Sequence, residues 1–344
     1  ARLAGELCRL GLEAGLAAVG VASAEPFSET RTSLEQRKAA GLHGGMQFTY
    51  RNPLRSTDPS RTLPSVRSLV VGALAYPSAT PPRPPGAQAR VARYAAEDHY
   101  GRLRAALGVV ADRLRGEGFR AVVVADDNAL VDRAAAHRAG LGWYGRSANL
   151  LVPDHGSWVV LGSVLTDASL PAAAEPVPDG CGSCTRCLDG CPTGAIVAPG
   201  VVDARRCLAW LVQADGPFPE ELREALGDRI YGCDDCQEVC PPNRRAGRGQ
   251  PVPAPGSPGS WVGLVELLAA GDEELLAAYG GWYVPRRDPR YLRRNALVAL
   301  GNVGDPADAQ VLELVERYRT GDDALLAEHA AWAAARLVQR GGGA

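Results

Sequence analysis

Residues 181–192 read CGSCTRCLDGCP, and residues 233–241 read CDDCQEVCP. The first is C-x2-C-x2-C-x3-C-P, and the second is the same run with its first cysteine missing. Cys207 stands alone between them and can supply the missing ligand. Eight thiolates in this pattern match two 4Fe–4S cubanes, because each cubane takes four soft sulfur ligands. In two-cluster ferredoxins the last cysteine of each run crosses to the other cluster. Applied here, the rule puts Cys181, Cys184, Cys187 and Cys240 on one cluster. Cys191, Cys207, Cys233 and Cys236 then hold the other. Zinc also takes C-x2-C pairs, but its sites close with four ligands, which leaves the third cysteine and the C-P ending unexplained. A disulfide framework belongs to small chains in an oxidising compartment, and this chain has 344 residues.

That length allows two or three domains, and 46% hydrophobic residues supply a sizeable core. A net charge of −2 points to no particular partner, so any nucleic-acid surface has to be a local patch. No apolar run reaches the length of a membrane span. Glu6 and Glu13 interrupt the apolar positions of residues 1–20, which read as an amphipathic helix and not as a signal peptide. No twin-arginine leader is visible, and thiolate-held clusters need reducing surroundings. The expected location is the cytoplasm.

Outside the cysteine region, Leu3, Leu7, Leu10, Leu12 and Leu16 lie on an opening helix, followed by a strand at 17–22. The runs SLVVGALAY (68–76), RAVVVA (120–125) and WVVLGSVL (158–165) have the continuous apolar pattern of buried strands. Helical spacing covers 101–116 and 129–139. This alternation predicts an α/β layer domain up to about residue 170. The stretch 41–64 reads as a long loop, and 77–85 carries five prolines. Linkers at 170–178 and 245–259 flank the cysteine region. From Trp261 onward the chain reads as helical. Residues 291–302 and 327–337, with VGDP at 303–306, look like the inner helices of HEAT-type repeats.

Several motifs have an ordinary explanation. GLGWYG at 140–145 satisfies the dinucleotide pattern, but it follows a helix where that fingerprint must follow a strand. Gly140 is better read as a helix C-terminal glycine. No G-x4-G-K-[S/T] loop occurs. Asp126 and Asp127 directly follow the strand at 122–124, a position where ligand sites collect. On the residues alone, capping of a helix near Ala129 is the better reading, and Asn128 serves that equally. His43, His99, His137, His155 and His329 show no metal-ligand spacing, and Cys8 fits a helix core. Arg286, Arg287, Arg290, Arg293 and Arg294, with Trp282, Tyr283 and Tyr291 among them, form one basic cluster; Arg244, Arg245 and Arg248 form another. A solvated helical face explains an isolated run, while two runs with aromatics admit nucleic acid.

Taken in order, several pieces resemble the epoxyqueuosine reductases. These are RNPLRSTDPSRTLPSVRSLVVGALAYP (51–77), RYAAEDHY (93–100), ADDNALVDR (125–133), AGLGWYGRSANLL (139–151) and GSWVVLGSVLTD (156–167). Both cysteine runs and RRNALVALGN (293–302) complete the set, so the likeness covers nearly the whole chain. The resemblance implies an α+β multidomain chain in three parts. Residues 1–175 would form an α/β cobalamin-binding catalytic domain of reductive-dehalogenase/nitroreductase-like type. Residues 176–256 would form a ferredoxin-like two-cluster domain, and 257–344 an all-α HEAT-like domain that contacts tRNA.

It also implies the reaction, reduction of epoxyqueuosine to queuosine at the wobble position of the tRNAs for Asp, Asn, His and Tyr. Base-off cobalamin would receive electrons from the two clusters. Asp126 would protonate the departing epoxide oxygen, since an alkoxide is a poor leaving group. Corrin neighbours carried over by position are Arg55, Ala92, Asp126, Leu150, Leu161, Ala209, Gly216, Phe218 and Asp234. Arg286, Arg287, Arg293 and Arg294 would meet the tRNA anticodon stem-loop. An external donor of flavodoxin or ferredoxin type would feed a monomeric, membrane-free enzyme. The alternatives are a reductive dehalogenase with the same corrin and cluster plan, and a ferredoxin-type carrier with an RNA-binding helical module.

Overall fold

The structure is a computed structural model that describes residues 1–77, 79, 81–172, 175–248, 250 and 259–342. Parts of the proline-rich stretch 77–85 and of the linkers 170–178 and 245–259 lie outside the described residues. Seven strands carry the argument: β1 (Ala18–Ser23), β2 (Ser68–Ala75), β3 (Gln88–Val91), β4 (Ala121–Ala125), β5 (Val159–Thr166), β6 (Arg229–Tyr231) and β7 (Trp261–Gly263).

The first sheet has the order β1-β2-β5-β4, and every pairing is antiparallel. The expected helix and strand layers are present, but no common C-terminal strand edge exists to collect ligands. Val70 and Leu74 of β2, with Val160 and Val164 of β5, pack under α1 (Arg2–Glu13) and α2 (His99–Gly116). Leu69, Val71, Ala73, Leu161 and Leu165 face the other way, toward Ala134, Ala135 and Ala136 of α3 (Asp132–Arg138). Burial on both faces is why β2 reads as an unbroken apolar run. Gly72 and Gly162 sit opposite each other in register. A Cβ on Gly162 would meet Leu107 Cδ1 and Ala125 Cβ at 2.8 Å, so glycine lets α2 lie this close to the sheet.

The second sheet was not legible in the sequence. Its order is β6-β3-β7, with β3 parallel to β6 and antiparallel to β7. Trp261–Gly263 is therefore a strand, where a helix was expected, because its backbone pairs with residues 88–90. This sheet ties a segment of the N-terminal part to the cysteine region and to the C-terminal helices. Ala89, Val91, Leu211, Phe218, Ile230, Val262, Leu297 and Ala330 share one core as a result.

The C-terminal helices are α4 (Leu264–Ala269), α5 (Asp272–Tyr279), α6 (Arg290–Val303), α7 (Ala309–Arg319) and α8 (Ala324–Gly341). Asp308 and Asp323 cap α7 and α8 by accepting the Gln310 and Leu326 N–H groups. On α8, His329 is fully buried; its Nε2 accepts the Phe218 N–H at 3.0 Å, and its Nδ1 lies 2.7 Å from the Leu325 carbonyl. Burial holds its imidazole down at about 4, against the pull of the Leu325 carbonyl. A histidine kept neutral contributes stability that is present above its ordinary value near 6.5 and is lost as pH falls toward 4. Urea unfolding at pH 7 and pH 5 should show the wild type losing about 2 kcal/mol more than His329→Gln over that interval.

Candidate active site

All nine cysteines are free thiols, so the disulfide reading fails. Cys187 lies in the short helix Arg186–Asp189 and Cys236 in the short helix Asp235–Glu238. These helices pack together so closely that a Cβ on Gly190 would meet Val239 Cγ2 at 2.9 Å. The thiols fall into two neighbourhoods. Cys240 feels the charge of Cys181, Cys187 and Cys184, while Cys236 feels first Cys233, Cys207 and Cys191.

Burial raises the thiol of Cys233 to about 12 and that of Cys240 to about 11, and it raises Cys187, Cys207 and Cys236 as well. Burial also acts on Cys191, but hydrogen bonds from Thr193 and the Ala195 N–H bring its thiol down overall. Thiols this reluctant to ionise become ligands only where a metal displaces the proton. Among the described residues no three His, Cys, Asp or Glu side chains converge as they would on a single ion. A cubane has no need of that, since it binds one thiolate at each of four irons.

Asp126 follows the last residue of β4 and has φ of +55°, a left-handed conformation that Asp tolerates better than most residues. Arg104 Nη2 donates to the Ala125 carbonyl at 3.0 Å and fixes the strand end. Asp126 is exposed to water. The protein around it raises its pKa, Arg104 opposes that, and Asp127 adds to it. Asp127 accepts the Ala129 N–H and makes a local turn. Asn128 instead accepts the Thr49 N–H at 2.7 Å, and α3 begins at Asp132 with no side-chain cap, so the capping reading of 126–128 fails. Val131 N–H donates to the Ser56 carbonyl at 2.9 Å, which ties this loop to the turn Pro53–Ser56.

Tyr231, at the end of β6, feels the charge of Asp126 and stacks on Trp282 at 4.6 Å. Two residues later the chain reaches Cys233. Arg133 lies in reach of both Cys207 and Tyr100, and Tyr100 in reach of Asp126. The Cys191, Cys207, Cys233 and Cys236 group is therefore the one beside Asp126.

Of the corrin candidates, Arg55, Asp126, Ala209 and Gly216 present surface. Ala92, Leu150, Leu161, Phe218 and Asp234 are buried. Leu150 and Leu161 fill the core under α3, and Phe218 fills the core shared with the helices. Asp234 accepts the Arg93 N–H at 2.8 Å, and burial raises its carboxyl to about 6. His99 stacks on Tyr76 at 4.8 Å inside the core. Gly140 has φ of +70° and ends α3, as its reading required.

The basic cluster divides. Arg286 and Arg287 are exposed, and Arg286 pairs with Asp215. Arg293 pairs with Asp272 at 2.5 Å. Arg294 is fully buried and donates to the carbonyls of Leu211, Ala214 and Gly216, so it is a structural residue and no part of a surface. Tyr231 and Arg104 stand near Asp126 and went unnoticed in the sequence. Only the folded pairing of β3 with β6 brings Tyr231 there.

With the geometry in place, three comparisons bear on it. The 4Fe-4S double cluster binding domain family matches residues 180–243. The epoxyqueuosine reductase of Escherichia coli is 36% identical over 98% of this chain and 90% of its own length. An epoxyqueuosine reductase solved with an epoxyqueuosine-modified tRNA stem loop superposes with a TM-score of 0.87 at 31% identity, covering 98% of this chain and 90% of that one. A Bacillus subtilis epoxyqueuosine reductase, solved with its catalytic loop swung out of the active site, gives 0.85 at 30% identity over the same shares.

Two clusters sharing eight thiolates make a test by iron analysis. Cys207→Ala should lower the iron bound per chain by about half, the share of one cubane, while Cys8→Ala leaves it unchanged. Both can be read from iron analysis and from the spectrum of the dithionite-reduced protein.

Proposed function

The chain belongs to the epoxyqueuosine reductase family and is an oxidoreductase with two 4Fe–4S clusters, and from that premise we propose its substrate, second cofactor and acid. It reduces epoxyqueuosine to queuosine at the wobble position of the tRNAs for Asp, Asn, His and Tyr. The observation that carries this reading is the placement of Asp126, a carboxyl with raised proton affinity, beside the cysteine group that leads to Tyr231. Cys181, Cys184, Cys187 and Cys240 hold the outer cluster. Cys191, Cys207, Cys233 and Cys236 hold the inner one.

A bound base-off cobalamin would supply the cobalt centre through which electrons reach the epoxide. Arg55, Ala209 and Gly216 are not buried, and a Cβ on Gly216 would meet nothing within 4 Å, which leaves these residues free to border such a ring. Opening the epoxide to an alkene consumes two electrons and two protons and releases water. Asp126 gives the first proton to the oxygen as its C–O bond breaks. We propose that the loop 126–131 is the counterpart of the mobile catalytic loop of the Bacillus subtilis relative.

In the same reading residues 1–175 hold the corrin, 176–256 conduct electrons, and 257–344, a HEAT-like pair of helical units, hold the tRNA. Arg286 and Arg287 meet its phosphates. An external flavodoxin- or ferredoxin-type donor feeds the monomer in the cytoplasm; among the described residues no helix is long and apolar enough to cross a membrane.

Protein reconstituted with iron, sulfide and cobalamin, given a strong reductant, should convert epoxyqueuosine-containing tRNA to queuosine. Asp126→Ala should lower turnover on the order of a hundredfold or more with clusters intact. A general acid acts protonated, so turnover should fall as pH rises through the raised Asp126 pKa, and Asp126→Asn should abolish that limb. Replacing Arg286 and Arg287 with Glu should weaken tRNA binding on the order of tenfold at low salt and flatten its salt dependence. Unchanged binding by filter assay would remove both from the interface.

A further inference from the structure

The basic run Arg244, Arg245 and Arg248 has no part in the reaction or in the tRNA contact proposed for Arg286 and Arg287. It follows Cys240, the last ligand proposed for the outer cluster, and begins on the short helix Pro241–Ala246. Asn243 turns inward on this helix: its side chain is buried and bonded to Ser157 and to the Gln237 carbonyl. Residues three and four apart share a helix face, so Arg244 and Arg245 lie on the same side as Pro241. Pro241 and residues 179–186 line one open depression of about 710 Å³. Cys181, Cys184 and Arg186 are among those lining residues, and no ligand proposed for the inner cluster is. Arg146 Nη2 ties this loop to the N-terminal part by donating to the Gly182 carbonyl at 2.5 Å. A Cβ on Gly182 would meet nothing within 4 Å, so the space beside it is open.

Arg186, Arg244, Arg245 and Arg248 are exposed, and among the described residues none has an ion pair or a side-chain hydrogen bond. The nearby carboxylates are engaged: Asp235 with Arg229, Glu238 with Arg90, Asp179 with the Cys181 N–H and Asp189 with the Thr185 hydroxyl. No aromatic residue occurs from 159 to 209 or from 232 to 260, so this run lacks the stacking surfaces that accompany the other basic cluster.

We infer that this face is where the electron donor docks, and that the donor is a small acidic one-electron carrier protein. Complexes of this kind are small and steered by charge. Each encounter passes one electron from the carrier, which is oxidised, to the cluster held by Cys181, Cys184, Cys187 and Cys240, which is reduced. Two encounters supply the two electrons of one turnover. The inference rests on the proposed ligand sets and on the proposed external donor.

The test uses the holoprotein without tRNA, with a flavodoxin and a 2Fe–2S ferredoxin as probes. It reads binding of the oxidised carriers and stopped-flow reduction of the clusters by the reduced ones. For the wild type the second-order rate should fall about tenfold between low and high salt. Arg244→Glu combined with Arg245→Glu should weaken binding and slow reduction about tenfold at low salt. Reduction by the methyl viologen radical, a small cation, should not be slowed, and tRNA binding in the filter assay should be unchanged. A wild-type rate indifferent to salt, or no reduction by either carrier, overturns the docking face, and this arm needs no variant to fold. Equal slowing with carrier and viologen, or weakened tRNA binding, also overturns it, because the arginines would then act on the cluster or belong to the RNA interface. Rapid reduction by a carrier that the double variant leaves unchanged sinks the face while the external donor stands. Charge-dependent reduction of a protein inactive on the tRNA would uphold the face and sink the proposed function instead.

Discussion

Taking cysteine thiols out of water is costly unless a metal takes their protons. Several of them sit where desolvation pushes their pKa far above that of a free cysteine, up to about 12 for Cys233. The two ligand runs themselves have little apolar core to offset this, each being built of a helix four residues long and its flanking turns. Iron–thiolate bonding is what makes the arrangement favourable, as in other small metal domains. Everything downstream depends on that ligation, because the inner cysteine group sets where Tyr231 and Asp234 stand.

The stretch between Cys207 and Cys233 does more than separate two ligands. It contributes Leu211, Phe218 and β6 to the core shared with the C-terminal helices, and β6 pairs in parallel with β3. Arg294 and His329 reinforce that contact from the helical side through the carbonyls near Gly216 and the Phe218 N–H. The cluster region, β3 and the C-terminal helices thus share one core.

The sequence made some of this legible and hid the rest for physical reasons. Strands buried on both faces, such as Ser68–Ala75 and Val159–Thr166, announce themselves as unbroken apolar runs. Gln88–Val91 and Trp261–Gly263 are too short and too polar to do so, since pairing with distant backbone makes them strands. The antiparallel order of the first sheet likewise leaves no local signal. Arg294 looked like part of a solvated face because burial of a guanidinium depends on three carbonyls more than 75 residues away. The family resemblance is what singled out Asp126, whereas its residues alone favoured a cap.

The central claim is that electrons stored on these clusters leave toward the site of Asp126. The most direct measurement is freeze-quench spectroscopy of reduced holoprotein mixed with epoxyqueuosine-containing tRNA, paired with nucleoside analysis of the same samples. The account predicts that cluster oxidation and queuosine formation rise together, with two electrons lost for each queuosine made. Queuosine formed while both clusters stay reduced, or clusters oxidised with no queuosine formed, would contradict it.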